Sequence, residues 1–199
     1  VGVMFGGCAL VHLSAAPTTW VHTNGNSSWF HSPNWSAGVP TAADNAFLES
    51  GTTAFVEGAT AAEVDNIYID RGGLTVGNVN SGTLNVNGEL AVSANGAGGT
   101  LNLNYGTISV NRLTVGQNGT YSDTSYGVLN LTGDKPTIAM APGVTVEVNS
   151  LVTGENGLTK SGLGTLVLVN NNTYSGGTTI SIGTLQIGNG GASGSLGWG

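Results

Sequence analysis

Residues that could do chemistry are few in this 199-residue chain, and the best cluster of them is acidic. Asp65 and Asp70 flank one short apolar run, and Arg71 follows the second carboxylate. Acids for calcium together with a neighbouring base are what a polysaccharide lyase would need. Because side chains alternate across a strand, a separation of five positions places the two carboxylates on opposite faces. We therefore interpret both as strand-end turn residues and predict no catalytic residue and no enzyme activity.

Metal-ligating residue types show no spacing typical of a metal site. His12, His22 and His31 all precede the regular part of the chain, and Cys8 is the single cysteine. Zinc sites use closely spaced Cys and His residues, so we expect no metal and no cofactor. Only 4 Lys and Arg stand against 11 Asp and Glu, with a formal net charge of −7. Nucleic acid is excluded as a partner, because phosphate neutralisation requires cations.

Three tryptophans among Asn, Ser, Gly and Pro form the second candidate site. Trp20, Trp29 and Trp35 lie in a segment, residues 17–53, that precedes the regular repeats. One hypothesis is an N-terminal cap, because the exposed end of a stacked sheet must be covered and large aromatic side chains cover it well. The other is a ligand-binding platform for glycans, which requires an exposed row of indole faces. We favour the cap.

The elements that must position these residues are short strands. From residue 54 onward, apolar residues alternate with polar ones in runs bounded by Gly or Asn, and no helical period is present. The motifs GTLNVN at 82–87, GTLNLN at 99–104 and GVLNLT at 127–132 are one recurring unit. The predicted strands are residues 54–56, 66–69, 74–76, 84–86, 90–92, 101–103, 108–110, 113–115, 128–131, 137–140, 144–148, 166–169, 178–182 and 185–187.

Recurring strand–corner–strand units predict an all-β fold, a right-handed parallel β-helix (β-solenoid) with an aromatic-rich N-terminal cap. We expect the β-helix repeats over residues 54–153 and further turns over 154–199. The alternative is an antiparallel β-sandwich, which does not explain the recurring motif. Lys160, Arg112 and Lys135 are single, scattered charges, and this predicts solubilising surface residues that guard strand edges.

The stretch GENGLTKSGLGTLVLVNNNTYSGGTTISIGTLQIG, residues 154–188, has an ordered pattern of Gly corners and short strands. It resembles the autotransporter-associated β-strand repeat of bacterial passenger domains. The residues that match the repeat motif, and for which the resemblance implies a structural role, are Lys160, Gly162, Gly164, Leu166, Tyr174, Gly176, Gly177, Gly183 and Leu185.

The resemblance implies a non-catalytic fragment of an exported surface protein, located at the bacterial cell surface or outer membrane or outside the cell. Its expected role is a β-helical stalk or adhesin scaffold, and its expected partners are host or environmental glycans or other copies of itself. The alternatives are a carbohydrate-binding module, a polysaccharide-active β-helix enzyme and a self-assembling extracellular filament subunit. Each would use the same fold, so the surface residues must decide between them.

Residues 1–16 form an apolar run without a charge that ends in Ser14, Ala15 and Ala16. This pattern predicts the remnant of a signal peptide, and the alternatives are a lipid anchor and an ordered strand or assembly segment. The run is shorter than the roughly 20 residues that a membrane-spanning helix requires. We therefore expect no transmembrane segment in this chain, and any membrane barrel of the family lies outside it.

Overall fold

Short parallel strands coil through about six turns in the computed structural model, which describes residues 17–21 and 27–198. Every ladder between strands in this part of the chain is parallel. The predicted parallel β-solenoid is confirmed, and the antiparallel sandwich is wrong. Residues 1–16, with the predicted signal-peptide remnant, lie outside the described residues.

The strands lie on three faces of the solenoid, which we name A, B and C, and each complete turn in the middle of the described chain contributes one strand to each face. Face A comprises β1 (Pro17–Thr19), β2 (Asn45–Leu48), β5 (Asn66–Ile69), the second halves of β7 (Thr83–Val92) and β9 (Thr107–Val115), β12 (Thr137–Met140), β15 (Leu158–Ser161) and β17 (Thr178–Ile180). Face B comprises β4 (Ala61–Val64), the first halves of β7 and β9, β11 (Val128–Leu131) and β14 (Leu151–Gly154). Face C comprises β3 (Thr53–Val56), β6 (Gly73–Val76), β8 (Gly99–Leu103) and β10 (Gly119–Asp123), then β13 (Thr145–Val148), β16 (Thr165–Leu168) and β18 (Thr184–Ile187).

Columns of aliphatic side chains fill the interior because alternate residues of every strand point inward. On face A the register places Ile67 beside Leu90, Leu90 beside Leu113, and Leu113 beside Ile138. All four side chains are fully buried. Burying one such side chain stabilises the fold by about 1.5–3 kcal/mol. The stacked columns therefore hold together strands that are individually too short to be stable.

The strand prediction is accurate where aliphatic residues alternate and fails where they do not. β7 and β9 each join two predicted strands, because the chain passes from face B to face A through a register irregularity between Val86 and Glu89 instead of a loop. The strands absent from the prediction are β1, β2, β4, β10, β14 and β15. They contain Pro, Ala, Gly or polar residues at positions where Leu, Ile or Val would have marked a strand.

Trp20, Trp29 and the backbone beside them cover the first turn of the solenoid. The amide of Trp20 donates to the carbonyl of Phe47 at 2.8 Å, and the amide of Trp29 donates to the carbonyl of Phe55 at 2.9 Å. The first inward position of each strand in this turn is an alanine, Ala46, Ala54 or Ala62, where the next turn has Ile67, Leu74 and Leu84. Small residues leave volume for bulky neighbours, so the alanines make room for the indoles in the same core cluster.

Within the described residues, the one helical element is a single 3-10 turn at Ser32–Asn34. No helix there has the length and apolar composition that a membrane crossing needs.

Candidate functional site

The acids that sequence analysis singled out are not brought together. Asp65 precedes β5 and Asp70 follows it, so the two carboxylates lie at opposite ends of one strand. Asp65 Oδ2 accepts from Asn66 Nδ2 at 3.0 Å, and Asp70 Oδ1 accepts from the amide of Asn95 at 3.2 Å. Both carboxylates therefore hold the backbone or side chains of neighbouring corners.

No metal-ligand constellation is present in the part of the chain that the structure describes: no group of three or more His, Cys, Asp or Glu side chains could hold an ion there. His31 lies at the start of the 3-10 turn. His12, His22 and Cys8 lie outside the described residues.

The three tryptophans pack against one another in the interior. Trp20 and Trp29 are fully buried, and Trp35 is 4% exposed. The ring of Trp35 contacts both others edge to face, with centroid distances of 5.0 Å to Trp20 and 4.6 Å to Trp29. Its Nε1 donates to the carbonyl of Trp29 at 2.7 Å. A sugar stacks on a free ring face, and these rings are turned toward the core, so they do not form the exposed row that a glycan platform requires.

The outer side of face B has a column of polar side chains that sequence analysis did not single out. The register aligns, in order along the solenoid, Glu63, Asn85, Ser109, Asn130 and Thr153. Asn85 Nδ2 donates to Glu63 Oε1 at 2.7 Å. Asn130 Nδ2 donates to Ser109 Oγ at 3.3 Å, and its Oδ1 accepts from Thr153 Oγ1 at 3.1 Å. These bonds run along the axis and fix the side-chain orientations.

Two cavities open beside this polar column. One has a volume of about 510 Å³ and is lined by Asn85 and Ser109 among others. The second has a volume of about 280 Å³ and is lined by Asn130 and Asn156 among others. Both are lined by Thr132 and Gly133, so they form one continuous depression along the edge of face B.

Two exposed tyrosines border face B on its other edge, where the chain arrives from face C. Tyr105 is 53% exposed and Tyr126 is 70% exposed. Their rings are stacked with a centroid distance of 5.4 Å and an interplanar angle of 20°. Each tyrosine precedes a corner glycine, Gly106 or Gly127, one turn apart. That repeated Tyr-Gly pair is the sequence signal that could have located this surface.

Face A carries a different, apolar groove on its outer side. It has a volume of about 470 Å³, and its floor includes the small side chains of Ala91 and Ala139. Tyr68 lines it at one end and stacks on Phe47 with a centroid distance of 5.1 Å. Glu89 lies at its edge and accepts from Arg112 Nε at 3.2 Å, which places the ion pair outside the apolar floor.

Face C is interrupted between β10 and β13, and a carboxylate bridges the interruption. Tyr121 and Asp123 follow Leu101 and Leu103 in the inward columns. Asp123 Oδ1 accepts from the amide of Asn149 at 2.9 Å, and Oδ2 accepts from the amide of Ser150 at 2.7 Å. Tyr121 OH also donates to Asp123 Oδ2 at 3.0 Å. Burial, followed by the charge of Asp123, raises the pKa of Tyr121 well above its ordinary value.

Lys160 lies at an inward position of face A, in a column where its neighbours on both sides are aliphatic. It pairs with Ile138 on one side and Ile180 on the other, and it is fully buried. The predicted surface role of Lys160 is therefore wrong, because the residue belongs to the core. Its Nζ donates to the carbonyls of Ser161 at 2.9 Å, Gly162 at 2.7 Å and Ile182 at 3.1 Å. Burial lowers the pKa of Lys160 from its ordinary value.

The ammonium of Lys160 joins two successive corners between faces A and C, which explains why glycines recur at both. Gly162 has φ +71° and Gly183 has φ +83°. A Cβ at Gly162 would lie 2.2 Å from the carbonyl oxygen of Met140. A Cβ at Gly183 would lie 2.6 Å from Lys160 Nζ. Lysine and both glycines therefore form one unit, which we name the lysine clamp.

A comparison with known protein families matches the part of the chain that contains the lysine clamp. The family model of the passenger-associated-transport-repeat matches residues 158–187, which include the whole lysine clamp. The chain contains a passenger-associated transport repeat. The resemblance to autotransporter passenger domains is thereby confirmed.

A curated relative extends the similarity beyond the passenger repeat (residues 158–187). The chain is 35% identical over 163 residues to the adhesin BmaC autotransporter of Brucella suis biovar 1 (strain 1330). The match covers 70% of this chain and 5% of the relative, so the chain spans a small part of that protein's length. No solved structure matches the chain.

The remaining motif positions of the passenger repeat lie in or beside its core. Leu166 is fully buried, and Leu185 is half-buried in the next turn. Tyr174 is fully buried, and its hydroxyl lies 2.7 Å from Thr178 Oγ1. The corner glycines Gly164, Gly176 and Gly177 complete the motif. A Cβ at Gly164 would lie 2.3 Å from the carbonyl oxygen of Val144.

Proposed function

We propose that this chain is a non-catalytic β-solenoid segment of an exported, adhesin-like passenger and that it acts as a stiff stalk. The observation that supports it most is the uninterrupted ladder of face A, which runs from β1 to β17 and ends in the passenger repeat. Parallel strands are spaced about 4.8 Å apart, so six turns give a rod of roughly 29 Å. Each turn is hydrogen-bonded to the next, which resists bending.

We propose export to the bacterial cell surface or outer membrane region on the basis of the same similarities. A passenger repeat and an autotransporter relative support this location. The composition is compatible with it, since a formal net charge of −7 favours solubility.

Two alternative functions, a polysaccharide-active enzyme and a filament subunit, receive less support. A polysaccharide-active enzyme needs converging acids, and Asp65 and Asp70 lie at opposite ends of β5. A head-to-tail filament needs an open sheet edge at both ends of the solenoid. Trp20, Trp29 and Trp35 cover the first turn, which opposes that contact.

The stalk role is tested by cell-surface display. The C-terminal end of the chain is fused to a display carrier, and a nanobody is fused to its N-terminal end. Capture of antigen-coated beads under flow is then measured. The matched control replaces the chain with a Gly/Ser linker of about 28 residues, a flexible coil whose r.m.s. end-to-end distance equals the roughly 29 Å length of the rod.

We expect the solenoid to give higher bead capture than this linker, because a rigid spacer holds the nanobody at a fixed distance, whereas a flexible coil of the same mean reach also folds back toward the cell surface. Equal capture by the linker would refute the stalk role. Incubation of the purified chain with calcium and polyuronates tests the catalytic alternative. Formation of unsaturated or reducing-end products would contradict the non-catalytic assignment.

A further inference from the structure

The outer side of face B has the chemistry of a carbohydrate-binding surface. We propose that it binds a neutral oligosaccharide, laid along the solenoid axis between the tyrosine pair and the depression at Thr132 and Gly133. This inference rests on the proposed adhesin-like function and gives it a ligand class. It assigns the binding surface to residues other than the three tryptophans.

The first argument is the spacing of polar groups. Successive members of the column from Glu63 to Thr153 are one turn apart, which is about 4.8 Å along the axis. That distance is comparable to the width of one sugar ring. An extended glycan can therefore place one ring against each turn and exchange hydrogen bonds with amide and hydroxyl groups, each of which both donates and accepts.

The second argument is that these side chains are held in place before a ligand arrives. The bonds Asn85–Glu63, Asn130–Ser109 and Thr153–Asn130 fix their rotamers. Ordering a mobile side chain costs about 0.5–1.5 kcal/mol on binding, and a fixed one avoids most of that cost. The amide of Asn130 still has a second N–H, because its Nδ2 donates once among the described residues.

The third argument is the exposed aromatic pair at the edge of the same face. Tyr105 and Tyr126 present more than half of their surfaces to solvent, although tyrosine packs well in an interior. Mutual stacking holds both rings in a fixed orientation. The apolar face of a sugar ring packs on such an aromatic edge while its hydroxyls reach the polar column.

Charge selects a neutral ligand over an acidic one. Glu63 and Glu155 are the ionisable side chains that line the two cavities, and both are acidic. A uronate, sulfated or phosphorylated polymer would meet like charges there, which disfavours binding.

A peptide strand is the weaker occupant for face B. Peptides that extend a sheet pair with an open backbone edge. The strands β7, β9 and β11 already have a partner on both sides in this face. The outward residues are polar, so an apolar peptide would bury little apolar area against them.

Isothermal titration of the full chain tests the proposal with four hexasaccharide probes: cellohexaose, xylohexaose, mannohexaose and, as the acidic probe, hexagalacturonate. We expect at least one neutral probe to bind and hexagalacturonate not to bind. Tyr126→Ala removes an exposed ring and should weaken the affinity roughly tenfold. Asn130→Ala removes a central amide and should weaken it by a similar factor.

The matched control is Tyr68→Ala, which removes a stacked tyrosine from face A and should change the affinity less than twofold. Binding of no neutral probe, stronger binding of hexagalacturonate, or equal loss in the Tyr68→Ala variant would overturn the proposal. Circular dichroism and bead capture are measured on the same variants. A folded chain that functions as a stalk but binds no glycan refutes this inference alone, whereas failure of bead capture refutes the proposed function.

Discussion

The buried lysine of the passenger repeat provides the sharpest test of the physical argument. Lys160→Met keeps the length and apolar stem of the side chain and removes its ammonium. The three carbonyl oxygens that Nζ contacts, those of Ser161, Gly162 and Ile182, then lose their donor. The substitution therefore isolates the hydrogen bonds of the lysine clamp from the packing of the aliphatic column.

The size of the effect follows from two opposing contributions. Hydrogen bonds from a charged donor are worth about 1.5–3 kcal/mol each, and a buried carbonyl without a donor costs about 1–3 kcal/mol. Removing the ammonium also removes its desolvation cost, which stabilises the variant. Ser161 and Gly162 are half-buried, so water can replace part of the lost contacts. We expect a net loss of about 2–3 kcal/mol, or a fall in Tm of roughly 5–10 °C for a chain of this length.

Thermal and urea unfolding, followed by circular dichroism, measure this loss. Lys135→Met is the matched control, because Lys135 is exposed and its replacement should change stability by less than about 0.5 kcal/mol. If Lys160→Met is as stable as the wild-type chain, or more stable, the ammonium is a net cost to the fold. The interpretation of the lysine clamp as a stabilising contact would then be wrong.

Three further predictions concern the interior and its corners. Asp123→Ala leaves two backbone amides without an acceptor at the interruption of face C, so urea unfolding should show a loss of about 2–4 kcal/mol; an unchanged midpoint would contradict the bridging role. Gly183→Ala should lower Tm more than Gly190→Ala, because both glycines have positive φ but only the first has atoms within 4 Å of an added Cβ; equal losses would mean that the close approach is unimportant. Because burial raises the pKa of Tyr121, its contribution to stability is complete below about pH 10, where unfolded tyrosine titrates, and falls as the pH rises further. Melting curves between pH 8 and 11 should therefore decline less steeply for Tyr121→Phe than for the wild-type chain, and parallel declines would refute this assignment.

The regular part of the fold could be predicted because it depends on a local rule. Where Leu, Ile or Val occupy alternate positions between Gly or Asn corners, as in β8 and β11, a strand follows at the predicted place. β10 was not predicted because its sequence, GTYSD, contains no aliphatic residue. It adopts a strand conformation because it pairs with β8 in the preceding turn. Tertiary packing outweighs local propensity at such positions.

The candidate sites were harder to predict because they depend on which residues meet across turns. Lys160 looks like an isolated surface charge in the sequence, and only the pairing with Ile138 and Ile180 shows that its position is interior. The three tryptophans share the buried core cluster with the small alanines of the first turn, and the sequence does not show that these residues meet. Tyr105 and Tyr126 lie in successive corners, one turn apart. Their stacking depends on the register between neighbouring turns, which cannot be read from the sequence.

The interruption of face C has a mechanical consequence. Backbone ladders resist shear between neighbouring turns, and at the level of Asp123 face C lacks a β10–β13 ladder while faces A and B are continuous. The cross-section is therefore stiff on two sides and compliant on the third. Under lateral load the rod should flex toward a single direction at this level, and under axial tension the same level should be where extension begins.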